Sequence, residues 1–361
     1  MKLIDRYIFF KFLGTFFTVL MLIMLIAIVF DVSEKLEDFV SKGASGREIF
    51  MDYYVNFIAF YGNLFSSLIV FISTIWFTSR MTARTEIVAI LSASISYRRL
   101  MLPFFYGALV VFGLSMWMNH FVIPKTNIDR LNFENTYINN NQNQDLKSQD
   151  IHFQVKPNHV IFLGSFNERG QSGYNFSYEV YEKSRMINKL DADFIRYDSI
   201  KKIWRLDNWV RREILEDGTE LLSTGRRLDT IYPFLPEDVV PKLFTTSMMD
   251  TPELLSFIDT EVLRGSEKVN YHEIELYKRT AFPFSTFILI LIAVSLSTKK
   301  SRGGLGLNIA LGLLLSTVYI FLMQVSTTFS THGDLTPMIA VWVPNIVFAI
   351  LGIFLYKTAP K

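Results

Sequence analysis

Six mostly apolar runs, at about 8–30, 53–79, 100–123, 281–298, 304–330 and 336–356, decide what this chain can fold into. Each is close to or above the about 20 helical residues needed to cross a hydrocarbon core. In a bilayer an unpartnered backbone N–H or C=O costs several kcal/mol, so such runs close their hydrogen bonds internally, as helices. Half of the residues are hydrophobic and 15% are aromatic, the composition of an integral membrane protein. The run from Phe12 to Phe30 is longer than a signal-peptide h-region and no small-residue cleavage site follows, so the first segment is expected to stay as an anchor. With no cysteine, disulfide frameworks and thiolate metal sites are excluded.

The net charge of +2 is less informative than where the charges sit. Lys2, Arg6 and Lys11 precede or open the first run. Arg80, Arg84, Arg98 and Arg99 flank the second loop, and Lys299, Lys300 and Arg302 follow the fourth run. The first loop is acidic on balance, with Asp31, Glu34, Glu37, Asp38, Glu48 and Asp52 against Lys35, Lys42 and Arg47. Basic short loops mark the cytoplasmic side, so both termini are expected there. None of the runs carries an acid or base at its centre, where each would cost about 2.5–3.5 kcal/mol and would flag an ion pathway.

Between the third and fourth runs, about 124–270, the composition changes. After an Asn/Gln tract (Asn139 to Gln144), short β-branched and aromatic stretches at 152–155, 160–166, 174–181, 189–197, 203–214 and 226–232 alternate with turn pairs such as Pro157-Asn158, Arg169-Gly170, Asp198-Ser199 and Asp217-Gly218. The spacing predicts one antiparallel sandwich or open roll. Thr251-Pro252-Glu253 predicts a helix to about Arg264 with Thr251 as N-cap, and 271–279 predicts a helix entering the fourth span. The expected organisation is 1–123, 124–270 and 271–361: a polytopic α-helical membrane protein of six transmembrane helices, three plus three, around an inserted all-β domain.

The cytoplasmic loop is the most informative segment. From Arg80 to Pro103, Ile87, Ile90, Leu91 and Ile95 fall at helical spacing as one apolar stripe, with Glu86 the single acid among Arg80, Arg84, Arg98 and Arg99. By composition this is either an interfacial helix resting on headgroups or a helix that seats on a partner. Catalytic and nucleotide signatures are missing. There is no Gly-Lys dipeptide and hence no Walker A loop. Gly303, Gly304 and Gly306 follow no strand, and read as close helix packing with Ala310 rather than a phosphate loop. The histidines at 120, 152, 159, 272 and 332 lack metal spacing. A self-contained lipid or secondary transporter would need an internal repeat and midplane polar sites. Asn63, Ser66, Ser67, Ser73 and Thr74 are the candidates for those, and interhelical hydrogen bonding is their simpler use.

Several stretches then carry a resemblance: Leu3-Ile4-Asp5-Arg6-Tyr7-Ile8, Thr85-Glu86-Ile87-Val88-Ala89 running to Arg99-Leu100, Lys278-Arg279 to Pro283, and Pro344-Asn345. Together with the topology they resemble the LptF/LptG (YjgP/YjgQ) permease family over the whole chain, and Phe30-Asp31 to Lys35 to Asp38 leans toward the LptG-like member. The resemblance implies a permease half of an ATP-driven transporter in the inner membrane of a Gram-negative bacterium, extracting lipopolysaccharide. It implies a sister permease, an LptB-like ATPase dimer that binds the ATP, and a periplasmic bridge through LptC- and LptA-like proteins that continues from a β-jellyroll insert. The segment at about 82–98 would be the coupling helix, with Arg84, Glu86, Ile87, Ile90 and Leu91 facing the ATPase. Subunit packing would use Gly303, Gly304, Gly306 and Gly312 of the fifth span. Phe153, Ile161, Phe176 and Phe194 are candidates for the lipid path. Ser94 stands where the family usually has glycine, which puts a left-handed helix end there in question. No cofactor, metal or nucleic acid is implied for this chain.

Overall fold

The computed structural model describes residues 3–138, 148–167, 170–183, 185–215, 218–239, 245–266, 268–298 and 304–359. It divides into a helical unit (Met1–Ile138, Ser247–Leu254 and Asn270–Lys361) and a second unit (Asn139–Thr246 and Leu255–Val269).

Among the described residues, the helical unit has five unbroken helices long and apolar enough to span a bilayer, plus one bent pair. These are α1 Leu3–Ser41, the pair α2 Gly46–Leu64 and α3 Ser66–Ala83, α5 Tyr97–Ile138 after a short α4 Glu86–Ser92, α7 Val269–Ser297, α8 Gly304–Thr331 and α9 Pro337–Thr358. The remaining helix, α6, covers Thr251–Leu263. The second span, expected as one helix, is broken by 65° at Phe65. The Ser66-Ser67 pair explains the break. The Ser67 hydroxyl lies 3.2 Å from the Phe282 carbonyl and 3.1 Å from Thr286 Oγ1, which holds the chain to a neighbouring helix where its own ladder is interrupted. The third span also departs from expectation. It passes Pro124 through π-type turns at Met118–Val122 and Glu134–Ile138, which keeps the chain helical to Ile138. In α1, the helix continues past its apolar run and stops at Gly43, where φ is +70° and the Ala44 N–H donates to the Phe39 carbonyl at 3.0 Å. Ser45 then caps the next helix in a reciprocal capping box with Glu48. The expected cap of α6 is corrected. The Glu253 N–H donates to Asp250 Oδ1 at 2.9 Å, so Asp250 is the cap and the Thr251 hydroxyl is left to bond His120 Nδ1 at 2.7 Å.

Helix α7 is the best covered of the five unbroken spans, with 61% of its most apolar stretch buried against 22% for α1 and for α8. Polar side chains of other helices converge on it. Asn345 donates to the Ala281 carbonyl at 2.8 Å, Thr82 to the Ser297 carbonyl at 2.8 Å, and Tyr97 to Ser295 Oγ at 3.3 Å.

In the second unit, six antiparallel strands pair in sequence order, β1 Ser148–Lys156, β2 His159–Asn167, β3 Ser172–Glu182, β4 Arg185–Asp198, β5 Ile203–Ile214 and β6 Glu220–Thr230. This is the open-roll alternative, built as a meander. Two of the expected turns have a visible cause. Asn158 takes φ +65° between β1 and β2, and the backbone N–H of Lys201 holds the Asp198 carboxyl below its ordinary range between β4 and β5. Arg169 and Asp217 lie outside the described residues. The apolar side is packed by Ile161, Leu163, Phe176, Leu190, Ile195, Trp204 and Leu206 and closed by residues after β6. There the Trp204 indole N–H donates to the Phe234 carbonyl at 3.0 Å, and the Trp204 and Phe234 rings stack at 4.6 Å.

Strict alternation fails along one row of this sheet. Ile161 and Leu163 point inward and so does Phe166; Leu190 and Ala192 point inward and so does Ile195; Trp204 and Leu206 are followed by Trp209. The switch falls at Gly164, Asn175, Asp193 and Asn208, which the strand register places side by side. Asn175 and Asn208 have φ +55° and +54°, and the Asn208 amide donates to Asp193 Oδ2 at 3.1 Å. Left-handed residues let the pleat skip a step, as in a bulge.

Asn345→Leu should lower the stability of the helical unit by about 1–2 kcal/mol, because the bond from Asn345 to the Ala281 carbonyl and the bond from the Tyr319 hydroxyl, 3.0 Å from Asn345 Oδ1, are both lost. Equilibrium unfolding in detergent measures this, with the exposed Met338→Leu as an unaffected control.

Candidate functional site

Between α3 and α5 the chain makes a bracketed turn of helix instead of one helix over about 82–98. Thr85 (φ +62°) ends the approach from α3, α4 runs only from Glu86 to Ser92, and Ser94 (φ +61°) ends it. Ser96 then caps α5, its hydroxyl accepting from the Arg99 N–H at 3.4 Å. Ser94 therefore takes the left-handed conformation that glycine would adopt more readily. Each such residue costs about 1–2 kcal/mol, and Thr85 offsets part of its cost by donating its hydroxyl to the Arg84 carbonyl at 2.6 Å.

The bracketing decides which face of α4 is outside. Ile87 is 1% exposed within the helical unit's own core, and Ile90 and Leu91 pack against that core beside Ile8, Phe12 and Tyr97. The stripe expected to face a partner is thus turned inward, and Val88 (48% exposed), Ala89, Ser92 and Ala93 form the outer face. Glu86 is half-buried at the rim. Its Oε2 accepts from the Tyr7 hydroxyl at 3.4 Å, and its Oε1 lies 4.0 Å from Arg84 Nη1. Asp5, buried, pairs with Arg99 and ties α1 to the start of α5. The pair anchors α5, the span that follows α4, to α1 at this arginine-rich end.

The other expected site residues separate. Gly312 packs inside the unit, where an added Cβ would come within 2.4 Å of Ile75 Cδ1, whereas Gly306 has open space on its side. Gly304 begins α8, and Gly303 lies outside the described residues. In the sheet, Phe153, Ile161 and Phe176 belong to the packed core, with ring centroids 5.6 Å between Phe153 and Phe234 and 5.5 Å between Phe176 and Tyr232. Burial pushes the Tyr232 hydroxyl pKa upward. Phe194 does not join them. Beyond the inverted row it faces the opposite side, against Tyr174 at 5.1 Å.

One cavity was not expected. A space of about 380 Å³ lies at the break of the second span, lined by Phe65, Asn63, Asn119, Lys278, Arg279 and Tyr319 among others. Asn63 donates to Asn119 at 2.6 Å and Asn119 to the Arg279 carbonyl at 3.0 Å, while the Arg279 guanidinium donates to the Met249 carbonyl at 2.8 Å. Asn63 and Ser67 thus serve interhelical bonding, and Ser73 and Thr74 bond back to the Val70 carbonyl. The clue to the cavity was the Lys278-Arg279 pair one turn before an apolar run, but Asn63 and Asn119, which complete it, lie more than a hundred residues earlier.

Six apolar spans, counting the bent pair as one, around a six-stranded antiparallel insert define a polytopic membrane protein with a β domain set between its third and fourth spans. The sequence profile of the lipopolysaccharide export system permease LptF/LptG matches residues 6–358, and the chain belongs to this family. The match does not separate the two members. It identifies a permease of the lipopolysaccharide export system and an inner membrane protein. No curated protein matches the chain.

Removing the left-handed strain should be tolerated and adding bulk should not. Ser94→Gly should leave stability unchanged or raise it by up to about 1 kcal/mol, and Ser94→Val should lower it by about 1–2 kcal/mol. Thermal unfolding of the purified chain in detergent checks both.

Proposed function

We propose that this chain is one permease half of an ATP-driven lipopolysaccharide extractor, with an LptB-like ATPase dimer seated on α4. The observation that carries this reading is the double anchoring of α4. Its inner face is locked into the core through Ile87, and its two joints are left-handed turns of one residue each. A push on the outer face, Val88, Ala89, Ser92 and Ala93, is therefore passed to α3 and α5 rather than absorbed by a loose loop. Glu86 and Arg84 at the rim supply the charges that would register the ATPase. The basic residues at this end support a cytoplasmic placement of both termini and of α4, which sets the β insert in the periplasm.

The sister permease would cover the two least buried helices, α1 along its exposed Met21 to Phe30 part and α8, with Gly306 on the open side of α8 allowing close approach. Lipopolysaccharide would pass to the LptC- and LptA-like bridge along the β insert. Acyl chains need shielding worth about 0.8 kcal/mol per CH₂. Since Phe153, Ile161 and Phe176 are packed under Tyr232 and Phe234, the lipid would reach them only when that strap lifts.

Glu86→Arg should abolish both co-purification of the ATPase and lipopolysaccharide export while leaving the permease folded, since removing one partner of an interfacial charge pair costs about 2–5 kcal/mol. Growth of a strain that depends on the variant is the readout, and normal growth would reject the docking role. Gly306→Leu should reduce recovery of the sister subunit in a pull-down without changing the unfolding midpoint of the chain. Gly312→Leu should do the reverse, because overpacking against Ile75 costs about 1–3 kcal/mol within the chain itself.

A further inference from the structure

A groove of about 480 Å³ opens between the first half of α1 and the last half of α3, at the arginine-rich end. Its two walls carry the same polarity gradient. On α1, Tyr7, Phe10 and Lys11 line the outer part, followed inward by Gly14, Thr15 and Thr18, which fall with Lys11 at helical spacing on one face. The Thr15 and Thr18 hydroxyls are turned back onto the Lys11 and Gly14 carbonyls at 2.8 Å each, which leaves their methyl groups for the groove. On α3 and the residue just beyond it, Arg84 and Arg80 stand at the outer end and Trp76 lies a turn further in. From Lys11 to Thr18 the gradient spans about 10 Å of helix. Three cations face one carboxylate, Glu86, and among the described residues neither Lys11 nor Arg80 has an acidic partner within ion-pair distance.

A surface that carries three cations toward one end, and Gly14, the threonine methyl groups and the Trp76 and Phe77 rings further in, matches an amphiphile with an anionic head, and the volume is that of a ligand site rather than a packing gap. We propose that this groove binds one anionic phospholipid, with its phosphate between Lys11, Arg80 and Arg84 and one acyl chain along Gly14, Thr18 and Trp76. The bound phosphate lies beside Arg84 and so competes with Glu86 for that cation. Occupancy therefore changes the charge presented at the rim of α4. The inference rests on the proposed orientation, because anionic headgroups are concentrated in the leaflet facing the basic end.

The test uses the purified full-length chain in detergent, exchanged into mixtures of phosphatidylglycerol and phosphatidylcholine, with bound lipid counted by native mass spectrometry. Phosphatidylglycerol should be retained preferentially. The Lys11→Gln/Arg80→Gln double variant should lose it by roughly tenfold or more, the contribution expected of two interfacial cations. Charge-preserving Lys11→Arg/Arg80→Lys and the control Arg98→Gln, an exposed arginine that does not line the groove, should keep it. Equal retention by the double Gln variant, equal retention of phosphatidylcholine, or displacement by excess inorganic phosphate would overturn the proposal, the last by identifying a free-anion site. A photoreactive residue at Thr18 should capture lipid, and capture of a second protein chain would reassign the groove as a subunit interface. Neither ATP nor the ATPase enters the assay, so failure of the coupling role at Glu86 would leave this result standing.

Discussion

Everything in the helical unit depends on the absence of water to satisfy polar groups at membrane depth. The solution adopted is to gather cross-helix hydrogen bonds on one element. Asn345, Thr82, Ser67 and Asn119 donate to four different backbone carbonyls of α7, those of Ala281, Ser297, Phe282 and Arg279. Helical carbonyls have a second lone pair to offer, so these bonds are made without breaking the ladder. Any movement of α3, α5 or α9 is thereby referred to α7. The 65° break at Phe65 is affordable only because Ser67 is held in this way.

That referral gives the short α4 its significance. A seven-residue helix is too short to be stable alone. It persists because Ile87 is buried with Ile8, Phe12 and Tyr97, residues of the two spans that also share the Asp5–Arg99 pair. The same burial that stabilises the helix removes its most apolar side chain from any partner. Its outer face is small and flat, and specificity there must come from charge and shape rather than from hydrophobic area.

The six spans and the six strands were legible because each rests on a local signal, a long apolar run in one case and β-rich stretches punctuated by turns in the other. The site was legible only in part. Helical spacing put Ile87, Ile90 and Leu91 on one face but carried no information about whether that face was in or out, since the answer depends on α1, eighty residues earlier. Of the four aromatic and aliphatic candidates for the lipid path, Phe153, Ile161 and Phe176 lie in the sheet's core and Phe194 does not, because the inversion between Ala192 and Ile195 is set by Asp193 and its neighbours on adjacent strands. The cavity beside Arg279 needed Asn63 and Asn119 to be brought in from other helices, and nothing in their local sequence announces that meeting.

The inverted row through Gly164, Asn175, Asp193 and Asn208 also bears on how the meander reaches one register. In an ordinary sheet a slip of two residues is the cheap mistake, since it keeps every side chain on its proper face. Here such a slip would set a left-handed asparagine of one strand against regular pleat in the next, and would leave two residues of the wrong parity between them. The row works as a key that fits at one offset only. The four inner strands of the meander thus carry their own check against misalignment.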